Sequence, residues 1–114
     1  MTARLPVVDL NLQIGPIERP ELSAVQIRYL VRFVGHVQGV GFRVTAIQQA
    51  RGLSVHGFVR NEPDGSVLMD VDGTPADLRE LVRRIKHVMR LKLDDTIVAE
   101  HPAAGRDGGF RIRS

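Results

Sequence analysis

One amphipathic stretch sets the first limit on the fold. Thr74-Pro75-Ala76-Asp77 carries the signals of a helix start: a hydroxyl to cap, proline at the first helical position and an acid where the macrodipole favours negative charge. The apolar residues that follow are Leu78, Leu81, Val82, Ile85, Val88 and Met89. At about 100° per residue they fall within an arc of about 120°, a core-facing stripe. Arg79, Arg83, Lys86 and Arg90 occupy the other side and read as a solvated face, with Glu80 and Arg84 spaced for an i,i+4 pair. A helix with one such stripe must lay it against another layer.

Strands supply that layer. Residues 27–34 alternate, placing Tyr29, Val31 and Phe33 on one face and Arg28, Leu30, Arg32 and Val34 on the other. A second strand is expected within residues 53–61, after which Pro63-Asp64-Gly65 turns the chain. Val67, Met69 and Val71 alternate on a third strand, whose Leu68, Asp70 and Asp72 read as its solvated face. Short strands over residues 95–100 and 110–113 close the chain, and Ala46, Ile47 and Ala50 predict a helix between the first two strands, stopped by Gly52. This order predicts an α+β, ferredoxin-like α/β sandwich: βαββαβ with an additional short strand, an antiparallel sheet and two helices on one face.

At 114 residues the chain has room for one modest core. The expected division is an N-terminal extension over residues 1–25 and a folded domain over residues 26–114. In the extension, Val8, Leu10, Leu12 and Ile14 alternate with Asp9, Asn11 and Gln13 until Gly15-Pro16. That pattern predicts a strand added to a sheet edge, competing with a disordered tail or an arm that pairs with another chain. A monomer is expected, with dimerisation through this segment as the alternative.

The candidate site lies between the first strand and the first helix. Gly35-His36-Val37-Gln38-Gly39-Val40-Gly41-Phe42-Arg43 brings a glycine-bearing loop straight into a helix start. The first N–H groups of a helix lack intrahelical partners and sit at the positive end of its dipole, so the loop reads as a phosphate cradle. Arg43 adds a planar fork suited to phosphate oxygens. No Lys-Ser or Lys-Thr pair follows, and Gly39-Val40-Gly41 is not continued as a dinucleotide fingerprint, so neither nucleotide loop fits. The residues alone also allow a plain tight turn at these glycines.

The loop resembles the signature of the acylphosphatases. Gly57-Phe58-Val59-Arg60-Asn61, followed by Asp64-Gly65, is similar to that family's second motif. The resemblance spans roughly residues 27–112. It implies a metal-independent hydrolase without cofactors, acting on small-molecule acyl phosphates to release carboxylate and inorganic phosphate. It implies that Arg43 and the amides of Val37, Gln38, Gly39, Val40, Gly41 and Phe42 hold the phosphoryl group. Asn61, which carries both a donor and an acceptor, would orient the attacking water. A non-catalytic phosphate-binding or structural module of the same fold is the alternative.

Two departures from the family pattern stand out. Phe58 occupies a position usually held by Trp, and is expected to pack near the site. Ala46 stands where a Thr is common, which removes a hydroxyl that could support the loop.

Other chemistries have little support in the residues. His36, His56, His87 and His101 are scattered, and with no cysteine present no metal-ligand spacing emerges. His36 alone is close enough in sequence to touch substrate. A formal charge of +3 suits a small anionic substrate and, without an RNP1-type aromatic motif, does not suggest nucleic acid. No apolar run is long enough for a membrane span, and Leu5-Pro6-Val7-Val8-Asp9 breaks off too early for a signal-peptide core, so the cytoplasm is the expected location.

Overall fold

The computed structural model describes residues 25–114. The expected edge strand at residues 8–14 lies outside them. In chain order the elements are β1 (Ile27–Gly35), α1 (Phe42–Gln49), β2 (Val55–Asn61), β3 (Val67–Gly73), α2 (Pro75–Val88), β4 (Leu93–Pro102) and β5 (Phe110–Arg113). They form one five-stranded sheet in the order β4-β1-β3-β2-β5. Three of its pairings are antiparallel, as expected; β5 departs from the expectation by running parallel to β2, which makes the sheet mixed. The Gly-rich connection carries the chain from β4 at one edge across to β5 at the other, so β5 enters in the same direction as β2.

Strand parity decides what faces the helices. Tyr29, Val31, Phe33, Val59, Val67, Met69 and Val71 are buried together with Phe42 and Ala46 of α1 and Leu78, Leu81, Val82 and Ile85 of α2. The helix start at residue 74 forms as read: the Thr74 hydroxyl accepts from the Asp77 amide at 3.2 Å. Val88 departs from the expected stripe and is 47% exposed, because it sits at the far edge of the arc on the last helical residue. The basic side of α2 is also more than a solvated face. Arg84 pairs with Glu80 at 2.8 Å, and its Nη1 donates to the carbonyls of Gln49 and Arg51 at 2.9 Å each. It thereby satisfies carbonyls left open at the end of α1.

The face of β3 away from the helices overturns another expectation. Asp70 and Asp72 are buried, with Asp72 at 0% exposure. A buried carboxylate must be paired, and each is. Arg28 donates to Asp70 through Nε and Nη2, both at 2.8 Å, and Arg106 Nη1 adds a third contact at 2.8 Å. Asp72 accepts the amides of Ala104 at 3.1 Å and Arg106 at 3.0 Å. Burial alone would push the Asp70 carboxyl up; the hydrogen bonds and charges of Arg28 and Arg106 outweigh it and hold the group down at about 2. These contacts pin the connection between β4 and β5 over the sheet. β5 is held further by the Gly57 amide, which donates to Gly109 at 3.1 Å.

Candidate active site

The loop after β1 is shaped by its glycines. Gly39 and Gly41 adopt φ of 76° and 75°, a left-handed conformation that costs other L-residues about 1–2 kcal/mol. A side chain at either would meet open space, so conformation rather than crowding is what glycine provides here. Gly41 is the N-cap of α1 and offers no capping side chain. Among the described residues, none of the amides from Val37 to Gly41 donates to a backbone carbonyl. The loop thus brings open N–H groups to the positive end of a helix, the arrangement that binds oxyanions.

Gln38 also acts through its side chain. Its Nε2 donates to the carbonyls of Glu62 at 2.7 Å and Ser66 at 2.9 Å. Those residues flank the turn that follows Asn61, so the side chain ties the loop to the end of β2. The turn is itself well fixed. Asp64 accepts from the Ser66 amide at 2.9 Å and from its hydroxyl at 2.6 Å, which lowers the Asp64 carboxyl from its ordinary value.

Val37, Gly39, Gly41, Phe42, Arg43 and Asn61 line one small cavity of about 140 Å³, together with Val44 and Ile112. Arg43 Nη1 donates to the Arg113 carbonyl at 3.3 Å, which ties the guanidinium to the end of β5. Phe42 lies beneath the loop, its ring 4.9 Å from that of Phe33. The expected residues therefore converge, except that Gln38 and Val40 are not among those bordering the cavity. Val44 and Ile112 were missed. A signal existed for Ile112: with Phe110 it alternates against Arg111 and Arg113, giving the strand an apolar side.

Phe58 is not where it was expected. Residues 57, 59 and 61 share the helix side of β2, so residue 58 points to the opposite face of the sheet. There its ring lies 4.3 Å from the Arg113 guanidinium, with Arg60 at 5.5 Å and Arg106 at 5.6 Å. Ala46 is fully buried in the core. His36 is exposed, its amide donates to Lys92 at 2.9 Å, and it does not border the cavity. The Nδ1 of His56 meets the Gly108 carbonyl. Among the described residues, no three His, Asp or Glu side chains gather into a metal-ligand set, and no helix is long and apolar enough to cross a membrane.

Fold and site together define a class: a small α+β sandwich that gathers a glycine loop, a helix start, an arginine and an amide around one oxyanion-sized cavity. The Acylphosphatase family model matches residues 28–112. An acylphosphatase from Salinibacter ruber is 39% identical over 87 residues, covering 75% of this chain and 92% of that protein. Another, from Clostridium acetobutylicum, is 34% identical over 86 residues, covering 75% and 94%. The crystal structure of acylphosphatase from Bacillus subtilis aligns with a TM-score of 0.70 at 28% identity, covering 77% of this chain and 99% of that one. The chain belongs to the acylphosphatase family.

Proposed function

We propose that this protein hydrolyses small acyl phosphates to carboxylate and inorganic phosphate, and that Arg43 and Asn61 are its catalytic residues. The observation that carries this reading is their convergence, with the glycine loop, on a single cavity. The phosphoryl group enters the loop. Amides of Val37, Gln38, Gly39, Val40, Gly41 and Phe42, with the Arg43 guanidinium, stabilise the charge on its non-bridging oxygens. The Asn61 carboxamide accepts a hydrogen bond from a water and holds its oxygen in line with the phosphorus.

Water attacks phosphorus as the bond to the bridging oxygen breaks. The electron pair departs on the carboxylate, already a good leaving group, and the water's proton passes to a phosphoryl oxygen. No protein base or nucleophile is needed, in keeping with the neutral side chain at Asn61. Gln38 acts through its side chain as a positioning residue, holding the loop against the turn beyond Asn61.

The proposal includes action as a monomer in the cytoplasm, with no nucleic-acid partner. Inorganic phosphate tests the cradle: it should inhibit acyl phosphate hydrolysis competitively, and Arg43→Gln should weaken its binding at least tenfold. Phosphate binding without any turnover would instead identify a non-catalytic module.

A further inference from the structure

The phosphoryl half of the cavity is explained by the loop and Arg43, which leaves its outer rim. Of the seven large apolar side chains that the described residues expose, two border this cavity: Val44, 51% exposed, and Ile112, 42% exposed. They come from different elements, each the third residue of its own, Val44 in α1 and Ile112 in β5. Each is adjacent in sequence to a partner in one contact, since Arg43 Nη1 donates to the Arg113 carbonyl at 3.3 Å. That hydrogen bond fixes the two elements side by side, so the two apolar side chains flank the arginine. The inner wall is different in kind, because Val37 and Phe42 are 1% and 2% exposed and offer no surface to a ligand beyond the loop.

We propose that Val44 and Ile112 form an acyl-group subsite that selects neutral apolar acyl chains, aliphatic or aryl. The inference rests on the acylphosphatase reading and names the substrate class of that same site. A cavity of about 140 Å³ has no room for both a phosphoryl group and a large acyl group. With the phosphoryl end against the loop, the acyl end projects outward across the rim. Its contacts there are two exposed aliphatic side chains, and the burial of apolar surface between them and the substrate favours binding. Among the described residues, Arg43 is the only charged side chain bordering the cavity, and it is engaged by the phosphoryl group and the Arg113 carbonyl. A carboxylate on the acyl chain would therefore be desolvated without a partner.

The test is a ratio: kcat/KM for benzoyl phosphate divided by kcat/KM for acetyl phosphate, whose methyl group is too short to cover the rim. In the double variant Val44→Ser/Ile112→Ser the ratio should fall on the order of tenfold, the scale of a lost apolar pocket contact. Val44→Ser alone, at an exposed position on α1, should give part of that fall and guards against misfolding of the double variant. Val98→Ser is the control, since that side chain is 44% exposed but remote from the cavity, and the ratio should not move. An unmoved ratio in folded Val44→Ser and double variants, with turnover intact, would overturn the subsite alone. So would an equal fall in Val98→Ser. Turnover of neither acyl phosphate by the wild type would overturn the subsite together with the reading it rests on.

Discussion

Replacing Asp70 with Asn should destabilise the fold by about 3 kcal/mol at neutral pH. Asp70 is 5% exposed and accepts three hydrogen bonds from two guanidinium groups, all at 2.8 Å. Charge-assisted bonds of this kind are each worth about 1.5–3 kcal/mol when intact. The amide keeps the shape but turns one acceptor into a donor that faces arginine N–H groups. Part of the loss is recovered, because the side chains of Arg28 and Arg106 are 29% and 28% exposed and can turn to water.

The same geometry predicts a pH signature. The folded carboxyl titrates at about 2 against an ordinary value of 3.8. Its stabilisation is therefore complete above the ordinary value and is lost as pH falls through that window. A shift of this size corresponds to about 2 kcal/mol, reduced to about 1–2 kcal/mol by solvent screening. Urea denaturation at pH 7 and at steps down to about pH 2 reads both effects. Wild type and Asp70→Asn should differ most at neutral pH, and the gap should narrow as acid protonates the wild-type group. A gap below about 1 kcal/mol at pH 7, or one that stays constant to about pH 2, would mean that the Asp70 carboxylate does not hold the fold through Arg28 and Arg106.

Two further substitutions probe the supports of the site. Gln38→Ala removes two hydrogen bonds that join the loop to the turn after Asn61. It should cost about 1–2 kcal/mol in urea denaturation and lower kcat about tenfold, because a small displacement of the cradle relative to the water degrades alignment; unchanged kcat would show that the tie does not position the loop. Gly57→Ala should cost about 3 kcal/mol or more, since its Cβ would lie 1.9 Å from the Asp70 carbonyl oxygen and β2 would have to move; a thermal melt within two degrees of wild type would contradict this.

What could be read from the chain was what local pattern controls. The capping residues Thr74, Pro75 and Asp77 and the following stripe placed α2, and alternation placed β1 and β3. The motif residues Arg43 and Asn61 met at one cavity because one helix and one strand separate them, as expected. What escaped depends on distant partners. Asp70 and Asp72 looked like a wet face because alternating polar residues usually are one. Their partners are Arg28 and a connection more than thirty positions away, and neither pairing leaves a local trace. The parallel entry of β5 follows from how a Gly-rich connection crosses the sheet, which composition does not encode. Phe58 was a different kind of miss. Its parity with Arg60, opposite to that of Asn61, already placed it on the far face from the site.

Arg43 and Asn61 are proposed to carry a metal-independent hydrolysis. The most direct test is benzoyl phosphate hydrolysis in the presence of EDTA by wild type, Arg43→Gln and Asn61→Ala, with circular dichroism to verify folding. Wild type should turn over, and each variant should lose roughly 10²–10³-fold in kcat, the cost of removing a positioned transition-state contact. Activity that survives both substitutions in folded protein, or that disappears from the wild type on chelation, would contradict the account.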